Sequence, residues 1–360
     1  MLSDQMDVEG FYYNTSIETA NAFNNATNTI VRDIKIASLL IRLKFAGDAM
    51  IPFVLPAISH LLTTYDSTSV DYTIEIWDSK STNADFPKAP CAIEDIQVRG
   101  EIKGFKSTRF ETAYFTHASM LTVLDHESKK GIVCMADNSY IPAFELACPL
   151  RGILSWILRK NKIVMLHAAG VGTAEGSVLI GGNSGAGKSS TSLRCLAGGL
   201  NYFGDDICAI SIQNGAPQIH SVYSSGKTLS NDLMKFPELL EYVHGHYDEE
   251  YEKEIFFFNT LVASKNNNNG HLKAIVIPYQ NAELEIGFQK IPFARALSVI
   301  CSSSRTLLPD GGNEIFQMLS AVIHHIPCYQ FNLGNNPKLI SESLTKFISQ
   351  LKENNNDLGR

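Results

Sequence analysis

The run Gly182-Asn183-Ser184-Gly185-Ala186-Gly187-Lys188-Ser189 sets two glycines, a lysine and a serine in the spacing Gly-x4-Gly-Lys-Ser. Glycines reach backbone angles that other residues resist, and they let successive amide groups face one anion. A helix that starts here adds free amide donors and the positive end of its dipole. Lys188 has the length to reach β and γ phosphates, and the Ser189 hydroxyl suits Mg2+. Ser190 extends the candidate phosphate-binding set by one residue. An apolar run, VLI, precedes the loop and a helix-forming segment follows it. That setting favours a nucleoside-triphosphate loop over a plain glycine-rich turn. ATPases, GTPases and kinases share such loops, so the reaction must be read elsewhere.

After the helix the chain reads Gly204-Asp205-Asp206 and then an apolar strand. If the strands are parallel, both carboxylates come level with the glycine-rich loop. One can hold Mg2+ and the other can take the proton of an incoming hydroxyl. Adjacent like charges also raise one of the two pKa values, which helps a base. The competing reading is a surface Gly-Asp-Asp turn. His167 ends the short apolar strand Ile163–Leu166. It reads either as a strand-end histidine without a chemical role or as a partner that tunes an aspartate.

The elements that must position these groups begin with strands at Ile163–His167, Val178–Gly181 and Ile207–Ile212, with a helix over Gly187–Gly199. Further strands are expected at Ile255–Val262 and Leu272–Pro278, separated by the loop Lys265–Gly270. Helices are expected at Ile315–Ile326 and Ser341–Leu351. Upstream, Met1–Asp33 is polar and asparagine-rich without clear periodicity. Ile36–Phe45 reads as a strand, or as a strand followed by a short turn, Phe53–Leu62 as a helix with Pro52 and Pro56 near its start, and Tyr72–Trp77 as a strand. Three short alternating runs between Arg109 and Asp137 predict an antiparallel meander. Ala143–Leu158 reads as one helix. The texture changes near Pro142, so the chain is expected to divide into an accessory domain, residues 1–143, and a nucleotide-binding domain, residues 144–360.

The 360 residues, 44% of them hydrophobic, suffice for a large core and one or two domains. A net charge of -7 gives no basic footprint for nucleic acid. The 7 cysteines form no CxxC pair and sit mostly in apolar surroundings, as expected of buried thiols in a reducing compartment. No apolar stretch reaches bilayer length and the first residues lack a signal pattern, so a cytoplasmic location without membrane contact is expected.

The run from His167 through Gly176 and Gly182–Ser189, closed by Gly204-Asp205-Asp206, resembles the catalytic domain of HPr kinase/phosphorylase and, more closely, the HPr-kinase-like serine kinases. The resemblance is strong over residues 166–210 and looser through Ser221–Leu229, Glu252-Lys253 and Pro327–Leu333. It implies an α/β fold: a P-loop kinase core with a mixed β-sheet, related to ATP-dependent phosphoenolpyruvate carboxykinase, plus a smaller N-terminal α+β domain for acceptor recognition. It implies ATP and Mg2+ as cofactors and a hydroxyl acceptor: a serine of a protein or peptide, or a small hydroxylated metabolite. By that resemblance Asp205 is the catalytic base, His167 its partner, Lys188 catalytic, and Ser189 and Asp206 the metal-binding residues. Lys227 and Lys253 are candidates for the ATP or acceptor side, and a homo-oligomer is the family's form. The family's later glycine-rich signature and its basic loop have no clear counterpart. The alternative reading is a nucleotide-gated regulatory protein without turnover.

Overall fold

The computed structural model describes residues 7–64, 69–139, 141–245, 253–263, 268–281, 283–307, 313–324 and 326–351. Its chain divides after Asn161 into two compact units. The boundary read from the sequence lies upstream of that division, because the segment expected as one helix from Ala143 groups with the first unit. That segment is two helices, α4 and α5 below, parted where Leu150 takes a φ of +56°.

Unit 1 runs α1 (Val8–Asn25), β1 (Thr29–Ile36), β2 (Leu39–Ala46), α2 (Ile51–Ile58), β3 (Leu62–Thr63), β4 (Tyr72–Asp78), α3 (Ser79–Thr82), β5 (Glu101–Lys106), β6 (Phe110–Phe115), β7 (Met120–Asp125), β8 (Lys130–Met135), α4 (Ala143–Ala147) and α5 (Arg151–Lys160). Its 8-stranded mixed sheet has the order β3-β1-β2-β4-β8-β7-β6-β5. β6, β7 and β8 form the antiparallel meander, and β4 joins β2 and β8 in parallel. Ile36–Phe45 is not one strand: Ala37, at φ +54°, turns the chain and Ile36 pairs with Leu39, so the run spans a hairpin. The polar N-terminal stretch is helical from Val8. Asp7 caps it by accepting from the Gly10 N–H at 2.8 Å, and Phe11, Thr15, Thr19 and Ala22 form its buried stripe. Two of those four are threonines whose hydroxyls donate back to the carbonyls of Phe11 and Thr15, and Thr19 also accepts from the Trp77 indole at 3.0 Å.

Under this sheet Arg159 of α5 donates to Glu111 of β6 at 2.6 Å, and His126 lies 2.7 Å from the other carboxylate oxygen. Arg159 and Glu111 are both less than 10% exposed. Removing one partner of a buried pair strands the other charge, at a cost of about 3–5 kcal/mol. Glu111→Ala is therefore expected to lower the urea midpoint markedly, whereas the double change Glu111→Leu, Arg159→Met recovers much of the loss. An unchanged midpoint for Glu111→Ala is the result that contradicts this.

Unit 2 runs β9 (Val164–Leu166), β10 (Ala169–Thr173), β11 (Gly176–Ile180), α6 (Lys188–Ala197), β12 (Asn201–Gly204), β13 (Cys208–Gln213), β14 (Ala216–Ser221), β15 (Ser225–Leu229), β16 (Val243–Gly245), β17 (Lys253–Phe257), α7 (Asn259–Ala263), β18 (Asn269–Tyr279), β19 (Gly287–Ile291), α8 (Phe293–Leu307), α9 (Asn313–Ile323), β20 (Cys328–Asn332) and α10 (Leu339–Gln350). Its main sheet has 9 strands and is mixed. The long β18 pairs through its first residues with β14 and through its later ones with β20, which in turn carries β19. α6 and α10 cover one face, where Cys195, Leu344 and Ile348 pack on Val171, Val178, Ile180 and Phe331. α8 covers the other face, so close that a Cβ on Gly181 would lie 2.7 Å from Ile300. β15, β16 and β17 make a separate 3-stranded sheet. The strand expected over Ile255–Val262 ends at Phe257, and α7 starts at Asn259. Residues 246–252 and 264–267, within the polar stretch and the asparagine loop, lie outside the described residues.

Candidate functional site

Strand direction explains why the candidate residues meet. β11 is antiparallel to β10, and β10 is antiparallel to β12, so β11 and β12 run the same way. The glycine-rich loop leaves the end of β11 and the two aspartates leave the end of β12. His167 sits just before β10, which runs oppositely, so it falls at that same edge.

Within the loop, Gly185 at φ +79° and Gly187 at φ +93° hold left-handed conformations that a side chain would strain. Asn183, Ser184 and Gly185 are exposed, Ala186, Ser189 and Ser190 half-buried, and Gly182 buried. Lys188 opens α6 and is only 6% exposed. Its ammonium donates to the Gly182 carbonyl at 2.8 Å and to the Asn183 carbonyl at 3.2 Å, which folds the loop around it. Burial lowers its pKa, against the pull of Asp206 and Asp205.

Asp205 is 2% exposed. One carboxylate oxygen accepts from the Ser192 hydroxyl at 3.2 Å and the other from the Lys227 main-chain N–H at 3.1 Å. Burial and the charge of Asp206 raise its pKa, while a hydrogen bond from Ser189 pulls the other way. Asp206 is more open, at 20% side-chain exposure, and pairs with the Lys227 ammonium. Burial pushes its pKa up, but Lys227, with His167 and Lys253 behind it, holds it below the usual carboxylate range. The neighbours thus differ: Asp205 faces the loop serine, and Asp206 faces the lysine.

His167 is clamped from α8. Its main-chain N–H donates to the Ser304 hydroxyl at 3.0 Å, and its ring Nδ1 lies 3.3 Å from the Ser303 carbonyl. A carbonyl can only accept, so Nδ1 carries the proton and Nε2 keeps its lone pair. Burial first, then the charge of Lys188, lowers its pKa to about 4, so the ring is neutral near neutral pH. The charge of Asp206 works against that shift. Lys253 is exposed at the start of β17, where its charge is felt by Asp206 and Lys188. Lys227, Asp206, Lys188 and His167 therefore form one electrostatic group. Sequence reasoning missed Ser192, Ser303 and Ser304. Ser192, one helical turn beyond Ser189, was open to inference from spacing; the two α8 serines, more than 130 residues from His167, carry no local signal.

Among the described residues no group of three or more His, Cys, Asp or Glu side chains could hold a metal ion by itself. The Ser189 hydroxyl beside the Asp205 carboxylate fits Mg2+ that arrives with phosphate oxygens and water as its other ligands. No helix among the described residues is long and apolar enough to cross a membrane.

No protein-family model matches this chain, and no curated protein matches it. Among solved structures it is similar to the Hpr(Ser) kinase/phosphatase from Coxiella burnetii, with 12% identity over 50% of this chain and 93% of that chain and a TM-score of 0.30. What is plain is an α/β architecture with mixed sheets.

Proposed function

We propose that the protein is an ATP- and Mg2+-dependent kinase that phosphorylates a hydroxyl group, on a serine of a protein or peptide or on a small hydroxylated metabolite. The observation that carries this reading is the meeting, at one sheet edge, of the Gly182–Ser189 loop with a paired-aspartate turn that the following helix holds through the Ser192 hydroxyl. Unit 1 is assigned to acceptor recognition.

The glycine-rich loop, with Ser190 and the first turn of α6, cradles the phosphates. Lys188 exchanges the Gly182 and Asn183 carbonyls for phosphate oxygens. Mg2+, when bound, draws charge from those oxygens. Geometry supports a division of the aspartates opposite to the sequence expectation. Asp205, buried and turned toward Ser189, holds the metal side. Asp206, more open and beside His167 and Lys227, meets the acceptor. Its carboxylate takes the hydroxyl proton as the acceptor oxygen bonds to the γ-phosphorus and the β–γ bridging oxygen leaves with ADP. His167, through Nε2, orients that end of the site. Lys227 and Lys253 offset the charge on the transferred group.

Lys227 depresses the Asp206 pKa, so removing its charge lets that pKa rise. In wild type Asp206 remains ionised well below neutral pH. Lys227→Met is expected to move the acid limb of the kcat/KM profile to higher pH, because protonated Asp206 cannot accept a proton. A pH–rate profile of both proteins checks this, and coincident acid limbs contradict it. The overall reading is tested by measuring ADP formation with pools of protein, peptide and small hydroxylated acceptors. Acceptor-dependent ADP with label on the acceptor supports a kinase. ATP hydrolysis indifferent to every acceptor class counts against it.

A further inference from the structure

The edge that carries the site continues past the glycine-rich loop. β18 and β20 run parallel to β11, so their last residues, Tyr279 and Asn332, end at the same edge. Tyr279 is paired with Asn332, and Asn332 with Gly287, the first residue of β19. Directly paired residues point to one face of a sheet, so these three positions form a row. Tyr279 is 42% exposed. The Asn332 amide N–H donates to the Glu285 carbonyl, while its Oδ1 is buried with no hydrogen-bond partner among the described residues. At Gly287 a Cβ would meet nothing within 4 Å, so the row ends in open space. Leu333, which follows Asn332, reaches within 3.1 Å of a Cβ placed on Gly187, so the end of β20 lies beside the loop.

Order along the edge supplies a direction. The aspartates lie on the β12 side of the loop and the row lies on the β18–β20–β19 side. A triphosphate with its γ end toward Asp205 and Asp206 must send its nucleoside the other way. Strands are about 4.8 Å apart, so β20 lies about 10 Å from β11, within the reach of a nucleoside. The crevice beyond the carboxyl ends of parallel strands is also where open α/β sheets bind ligands.

We infer that Tyr279, Asn332 and Gly287 form the nucleobase site of the triphosphate, with a purine as its class of ligand. The ring of Tyr279 gives the base a stacking surface. Asn332 Oδ1 accepts from an exocyclic amino group, and the missing side chain at Gly287 leaves room for the purine. This rests on the kinase reading, but only on its phosphate-binding part.

The test compares binding of ATP–Mg2+ and of tripolyphosphate–Mg2+, which lacks base and ribose, to the full chain by calorimetry. The variants are Tyr279→Ala, Tyr279→Phe and Gly287→Val, each checked for an unchanged urea midpoint. Wild type is expected to bind ATP more tightly than tripolyphosphate. Tyr279→Ala and Gly287→Val should each weaken ATP at least about 10-fold and leave tripolyphosphate unchanged, while Tyr279→Phe keeps wild-type affinity for both. Wild-type ATP affinity in Tyr279→Ala and Gly287→Val overturns the inference, and so does equal weakening of both ligands. In either case the phosphate loop stands. Binding of neither ligand by wild type removes both readings together.

Discussion

Lys188→Ala is expected to abolish measurable turnover and to weaken triphosphate binding, while the protein remains folded. In the proposed kinase the ammonium is the positive charge that the loop itself would bring to the β and γ phosphates, and it already sits buried within the loop. Loss of a preorganised donor at a reacting phosphate costs at least about 100-fold in rate. Here the loss is compounded, because Asp205 and Asp206 stay behind without one of the cations that moderate their charge. Triphosphate would then approach two carboxylates with less compensation, so affinity falls together with rate. Titration with ATP–Mg2+ and a turnover assay check both effects, and circular dichroism checks the fold. Wild-type affinity and wild-type turnover in this variant would sink the phosphate-loop assignment.

Locally coded elements were legible. The alternating runs that became β6, β7 and β8 needed only a period of two and short turns. The loop before α6 was legible for the same reason, since its glycines, lysine and serine are contiguous. What failed depended on information outside the window. α1 hid its buried face because threonines occupy it, satisfied by back-bonds to the helix and by Trp77. The β1–β2 hairpin hid because its turn is made by Ala37 in a left-handed conformation, with no glycine or asparagine to mark it. The break between α4 and α5 falls at Leu150 for the same reason.

In the site, the residue types were legible but their pairings were not. Two adjacent aspartates announce a shared task; which one faces the loop serine depends on how the chain leaves β12. Asp205 is tied by the main chain of Lys227 and by Ser192, so it turns inward. Asp206 then meets the Lys227 side chain. The clamp on His167 comes from the far end of α8, and nothing in its run of small hydroxyl residues distinguishes it from ordinary helix surface.

That inward and outward difference sets the second large effect. Asp206→Asn is expected to lower phosphoryl transfer at least about 100-fold, the lower range for a lost general base, while ATP–Mg2+ affinity changes little. Asp205→Asn should instead raise the Mg2+ concentration needed for half-maximal rate, because its amide cannot supply the anionic oxygen beside Ser189. Burial argues in the same direction. A group that accepts a proton from an incoming hydroxyl must be reachable, and Asp205, at 2% exposure, has both oxygens engaged. The raised pKa of Asp205 favours it as a base in strength alone, but geometry comes before pKa when the two disagree. His167→Ala should resemble a milder Asp206 change, since its neutral ring orients that end of the site and carries no charge to lose. The measurement is transfer rate against Mg2+ for the three variants with a hydroxyl acceptor. If Asp205→Asn loses transfer at saturating Mg2+ while Asp206→Asn only shifts the Mg2+ requirement, the roles are the reverse of those assigned here. If neither loses transfer, the aspartate turn is not part of the chemistry.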